Sequence, residues 1–161
     1  MRGERHIAQP TGRGITLLLA VLFVCISFSA MAQVNPFARE LRSKRTAGVI
    51  TMGAMSDPYN PLEEQLRLTR GALELLLRHG FGAAFTTKSA LCARDADLLA
   101  EISRHSPVCA RLTITCADDD LCRLIEPNVS VSSERFAALR TLADAGVFAG
   151  VWLNPVLPHL T

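Results

Sequence analysis

At 161 residues, 49% hydrophobic and 20% charged, the chain fits one compact domain and is neither disordered nor collagen-like. Its net charge of +2 excludes an obvious polyanion binder, and the basic excess is N-terminal: seven Lys or Arg stand against two acids up to Arg45, leaving 10 against 13 beyond it. Five cysteines, Cys25, Cys92, Cys109, Cys116 and Cys122, with no CxxC pair and no nearby paired histidines, exclude a disulfide framework and a zinc site; the last four are expected to be buried small hydrophobes of a reducing compartment.

The N-terminus argues for export. Arg2, Arg5 and Arg13 precede a charge-free run from Ile15 to Ala30, and Ala30-Met31-Ala32 has the small-x-small form of a signal-peptidase site. Residues 1–33 are therefore expected to be a signal-like or non-native segment ahead of a domain over 34–161. Extended through Val34, the apolar run reaches the lower limit for a membrane anchor, so a membrane enters only if this segment is native. Arg39, Arg42, Lys44 and Arg45 then read as a solvated helix face rather than a nucleic-acid site.

From Gly48 onward, short apolar runs alternate with amphipathic stretches. Val49 to Met52 predicts a strand. A helix follows, with Asn60 as N-cap, Pro61 at its first position and Glu63 three residues after the cap. Its apolar stripe is Leu62, Leu66, Leu73, Leu76 and Leu77, with Thr69 on the same face, and Gly80 ends it. Ala83 to Thr87 predicts the second strand, Asp95 to His105 a helix, and Val108 to Thr115 the third strand. Asp119 to Ile125 predicts a short helix, Ser133 to Ala145 a longer one closed by Gly146, and Val147 to Leu153 the fourth strand. His79 and His105 fall at helix ends, where the helix dipole accounts for them, and Asp118 to Asp120 read as a helix start.

Strands alternating with helices at this spacing predict βαβ units and a parallel sheet, an α/β fold. Four units are too few for a (β/α)8 barrel of about 250 residues, so the expectation is a small open domain or a piece of a partial barrel; a last strand without its covering helix favours the piece. Ligands of parallel sheets sit at the C-terminal strand ends. There the chain offers Ser56 and Asp57, then Thr87 and Lys88, then Thr113, Thr115 and Asp118, then Asn154. One lysine among hydroxyls and carboxylates suits a small zwitterion: Lys88 for a carboxylate, Asp57 or Ser56 for an amine or a ribose hydroxyl. Turn formation before Pro58 equally explains Ser56 and Asp57, and a solvated loop equally explains Lys88.

Several segments, in order, carry a resemblance: VNPFARELRSKR, GAMSDPYNPLE, LTRGALELL, TTKSALCARDADLL, RLTIT, IEPNVSVSSERFAAL and AGVFAGVWLNPVLP. From Val34 to Pro158 the chain resembles the radical S-adenosylmethionine enzymes of the spore-photoproduct-lyase-like, or DNA repair photolyase-like, branch. The resemblance implies a partial (β/α)6 barrel of TIM type. In it a 4Fe–4S cluster reduces S-adenosylmethionine, and the 5′-deoxyadenosyl radical released abstracts hydrogen from a substrate. Carried over to this sequence, it implies that Ser56 and Asp57 lie against S-adenosylmethionine, that Lys88 holds its carboxylate and that Thr113 lines the same pocket. It also implies a lyase or DNA-repair-like activity and a cytoplasmic location, with nucleic acid as partner resting on the family name alone.

One departure stands out. The family's cluster is held by a CxxxCxxC loop before the segment beginning at Val34, and nothing from Met1 to Gln33 resembles it. Cluster ligation needs clustered thiolates, which Cys92, Cys109, Cys116 and Cys122 do not offer by spacing. The chain is accordingly expected to be an incomplete or frame-shifted piece of a radical enzyme, with no metal ligands or catalytic residues of its own. The alternative is an exported α/β ligand-binding module without enzymatic activity.

Overall fold

The computed structural model describes residues 36–159. The signal-like segment 1–33, with Cys25, lies outside the described residues. Four strands, β1 (Val49–Met52), β2 (Gly82–Thr87), β3 (Val108–Ile114) and β4 (Ala149–Leu153), form one sheet in sequence order, and every neighbouring pair is parallel. The helices are α1 (described over 36–43), α2 (Glu63–Leu66), α3 (Leu68–His79), α4 (Ala96–Ser103), α5 (Asp119–Ile125) and α6 (Ser132–Asp144). A 3-10 turn over Ala90–Asp95 leads into α4. This is the expected α/β architecture, a parallel sheet of partial-barrel type.

The register divides the sheet into two unlike faces. Ile50, Met52, Ala83, Phe85, Val108, Ala110, Leu112 and Ala149 share one face, and all belong to or pack on the hydrophobic core. Helix α3 packs on β2, α4 on β2 and β3, and α6 on β3 and β4. Alternation along the strands then puts Thr51, Thr86, Arg111, Thr113 and Trp152 on the opposite, concave face. Hydroxyls, an arginine and an indole on a sheet face mark it as a place for a ligand rather than for a second helical layer.

The first long helix differs from its expected course. It breaks at Arg67, which takes left-handed backbone angles (φ 50°), and the cause is Glu63. Instead of turning back on Asn60 in a capping box, the buried Glu63 carboxylate accepts from the Thr69 (2.8 Å) and Arg70 (3.3 Å) amides and so caps α3. Asn60 caps only its own turn, accepting from the Leu62 amide at 2.9 Å. Arg94 pairs with Glu63 at 2.7 Å and with Asp95 at 3.0 Å, and Arg70 pairs with the same Asp95 at 2.8 Å. Two buried carboxylates shared between two guanidiniums leave neither sign of charge alone in the interior. The helix expected over Asp95–His105 likewise begins as the 3-10 turn, where the Ser89 hydroxyl accepts from the Leu91 amide.

Other expectations match. Helix α5 has the bounds read from sequence, with Asp118 accepting from the Leu121 amide as N-cap. Cys92, Cys116 and Cys122 are buried and Cys109 half-buried, all as free thiols. In α1, Ala38 and Leu41 are buried while Arg39 and Arg42 are exposed, and Lys44 pairs with Glu40 at 2.5 Å. Among the described residues no helix is long and apolar enough to cross a membrane.

The start of β2 passes so close to the loop before β3 that a Cβ on Gly82 would lie 2.3 Å from the Pro107 carbonyl oxygen and 3.1 Å from Val49 Cγ2. Gly80, by contrast, has open space around it and only a left-handed backbone (φ +72°) to satisfy. Gly82→Ala is therefore expected to cost about 3 kcal/mol of folding stability and Gly80→Ala about 1 kcal/mol, as measured by urea unfolding. Equal losses would contradict the close approach.

Candidate functional site

Asp57 follows β1 and has its carboxylate turned inward. One oxygen accepts from the Thr87 hydroxyl at 2.6 Å and from the Tyr59 amide at 2.8 Å; the other accepts from the Lys88 amide at 2.9 Å. The loop after β1 is thereby fastened to the end of β2. Tyr59, buried beneath it, packs edge-on against Phe85 with ring centroids 5.3 Å apart, and burial, with the Asp95 carboxylate, raises its phenol pKa. Ser56 is exposed beside Asp57. Gly53, with φ +94°, lets the chain leave β1 where a Cβ would meet the Thr86 carbonyl oxygen at 2.7 Å.

A second carboxylate, Glu126, organises the neighbouring strand ends. It accepts from Lys88 Nζ at 2.5 Å, from the Thr115 hydroxyl at 2.6 Å and from Arg135 at 2.8 Å. Burial works to raise its pKa, but the hydrogen bonds from Lys88, Thr115 and Arg135 outweigh burial and hold it below the usual glutamate value. The Lys88 ammonium thus stands at the sheet edge with one donor on Glu126, leaving donor capacity for a second acceptor. Its side chain is 34% exposed, so that capacity is reachable from solvent.

Two cavities flank these groups. The larger, about 690 Å³, runs between the loops after β1, β2 and α5 and is lined by Asp57, Tyr59, Asn60, Ser89, Ser130 and Glu134 among others. The smaller, about 280 Å³, lies on the concave face, where Thr51, Gly53, Ala54, Thr86, Arg111, Thr113, Trp152 and Asn154 line it. Ser56, Asp57 and Lys88 are contiguous through the Asp57 clamp, while Thr113 belongs to the concave cavity one strand away. Thr115 joins the two, donating to Glu126 and lying 3.5 Å from the Asn154 carbonyl oxygen.

The described residues do not fit an iron–sulfur cluster. Among the described residues no three His, Cys, Asp or Glu groups are placed to hold a metal ion. Burial, reinforced by the nearby Asp57 charge, pushes the Cys92 thiol up to about 12, and burial raises Cys116 as well, whereas ligation requires thiolates. The same edge is instead rich in hydrogen-bond donors. A reachable ammonium and several hydroxyls converge there, and a buried guanidinium Nε of Arg111 has no hydrogen-bond partner in the concave cavity.

The fold and this edge define a parallel α/β domain with a set of polar groups at the C-terminal strand ends. It is similar in fold to a mutant of spore photoproduct lyase, with a TM-score of 0.57 and 18% identity, over 78% of this chain and 36% of that one. In sequence it is 32% identical over 120 residues to an uncharacterized protein of Methanocaldococcus jannaschii, covering 74% of this chain and 45% of that protein. An uncharacterized protein of Mycobacterium tuberculosis is 30% identical over 112 residues (70% of this chain, 33% of that protein), and one of Acidianus two-tailed virus 29% identical over 116 (71% and 37%). The chain spans about a third to a half of the length of these curated relatives. No family model matches it.

Glu126 and Arg135 were not singled out from the sequence, because a glutamate before Pro127 and an arginine within a polar helix read as surface. The signal was available in Arg135, whose position three after Ser132 puts both on the buried side of α6.

The sign of the Glu126 shift sets a pH dependence. With its folded pKa below the unfolded value of about 4.3, its stabilisation is complete above that value and is lost as pH falls through the lower, folded value. Acid titration followed by circular dichroism is expected to show Glu126→Gln less stable at pH 7 but losing less stability than the parent below pH 4. Parallel curves would contradict the network.

Proposed function

We propose that this chain carries the cosubstrate-binding part of a radical S-adenosylmethionine barrel, with lyase-type or repair-type chemistry of the spore-photoproduct-lyase-like branch. Ser56 and Asp57 would lie against S-adenosylmethionine, Lys88 would donate to its carboxylate and Thr113 would line the pocket. The observation that carries this reading is the Asp57 clamp: one carboxylate orders the loop bearing Ser56 and positions the Lys88 backbone, so these residues form one continuous edge. The fold likeness to spore photoproduct lyase supports it.

S-adenosylmethionine, when bound, would supply a sulfonium whose C–S bond, on taking one electron from a reductant outside the described residues, would break to leave methionine and a carbon radical. The part of the protein is to hold and orient it. Asp57 is consumed by three hydrogen bonds and acts as a positioning residue, whereas Lys88 has donors to give. The reading carries a cytoplasmic location, with nucleic acid as a partner resting on the family name alone.

Equilibrium dialysis of the full chain against S-adenosylmethionine is expected to show saturable binding, weakened at least tenfold by Lys88→Ala with an unchanged circular dichroism spectrum. Glu126 keeps Thr115 and Arg135 in that variant, so the edge stays ordered. No binding, or binding indifferent to Lys88, would refute the proposal.

A further inference from the structure

The concave cavity contains one charged group, and nothing in the fold neutralises it. Arg111 projects from the middle of β3, between Thr86 of β2 and Gly150 of β4, and its guanidinium carbon sits 4.6 Å from the centre of the Trp152 ring. A guanidinium over the face of an indole is held there by cation–π attraction, which leaves its N–H groups to seek acceptors elsewhere. Among the described residues Arg111 makes no ion pair and no hydrogen bond, although its Nε is buried. Every other buried or half-buried arginine of the fold is paired: Arg70 and Arg94 with Asp95, Arg135 with Glu126.

A buried donor left without a partner is destabilising, a cost that an acceptor would relieve. The cavity walls supply none with charge. Thr51, Thr86 and Thr113 contribute hydroxyls and Asn154 an amide, with no carboxylate among the lining residues. Hydroxyls that donate, around a planar fork that donates twice, make a receptor for an oxyanion. The volume of about 280 Å³ suits a compact group rather than a polymer.

We propose that Arg111, held over the Trp152 ring, binds the carboxylate or phosphate group of a ligand seated on the concave face of the sheet, with Thr86 and Thr113 as neutral donors. The binding itself does not require the S-adenosylmethionine reading. If that reading holds, the carboxylate of the cosubstrate is taken by Lys88 and the oxyanion at Arg111 belongs to a second molecule beside it.

Trp152 is the only tryptophan of the chain, so its fluorescence reports on the stacked guanidinium directly. The full chain is titrated with inorganic phosphate and, separately, with acetate at constant ionic strength. A saturable fluorescence change with at least one of them is expected, weakened tenfold or more by Arg111→Gln and only partly by Arg111→Lys, which keeps the charge but not the fork. Thr86→Val, which leaves Arg111 and its stack in place, is expected to weaken binding about threefold and serves should Arg111→Gln not fold. Repeating the titration with saturating S-adenosylmethionine separates the two sources. Undiminished binding is expected and assigns the oxyanion to a second ligand; competition would place the cosubstrate's carboxylate at Arg111, supporting this site while contradicting the role given to Lys88. A non-saturable response in the parent chain, or equal affinity in Arg111→Gln and Thr86→Val, would overturn the proposal, and neither outcome depends on whether Lys88 binds S-adenosylmethionine.

Discussion

The guanidinium of Arg135 is wholly buried, and the C-terminal edge of the sheet is assembled around it. Its Nε donates to the Ser130 carbonyl at 2.7 Å, one terminal nitrogen to the Thr113 carbonyl at 2.8 Å and the other to Glu126 at 2.8 Å. A buried cation is tolerated only when its charge is matched and its donors are used, and here one side chain ties α6, the loop before it and the end of β3 to the same point. Glu126 completes the match and passes it on to Lys88 and Thr115. The polar ends of three consecutive strands are thus linked through two carboxylates, Asp57 and Glu126, with no solvent required between them.

This frame explains the division of labour at the edge. Groups that build it, Asp57, Thr87, Glu126 and Arg135, have their hydrogen-bonding capacity taken up within the protein. Groups left with capacity, Ser56, Lys88, Thr113 and Arg111, are those that face solvent or a cavity. A ligand arriving there meets donors already fixed in place, so little ordering remains to be done on binding. The opposite, N-terminal edge also bears a cavity, of about 560 Å³, lined by Ser103, Arg104, His105 and Ser106 among others, and the close contact of Gly82 with Pro107 beside it is backbone packing.

The alternation of strand and helix was legible because hydrophobic periodicity is local, and so the parallel α/β sheet and the bounds of α5 could be read directly. The polar residues at the strand ends were legible for the same reason, once the strands were taken as parallel. The Arg67 break was not, because Glu63 satisfies the standard spacing for capping the helix before it and its actual partners, Thr69, Arg70 and Arg94, are selected by tertiary packing. Glu126 and Arg135 were hidden likewise: nine residues apart, one just past the end of α5 and the other within α6, they pair only once α5 and α6 are docked. The face toward which Arg111 points depends on strand register, which a single strand of apolar and polar alternation leaves open until its neighbours are known.

The central claim is that the C-terminal edge of this sheet is the binding edge, and hydrogen–deuterium exchange of the full chain with and without S-adenosylmethionine tests it most directly. Slowed exchange in the amides of 53–57, 87–91 and 113–118, with no change over 104–108 at the opposite edge, is the expected result. No protection, or protection confined to 104–108, would contradict it.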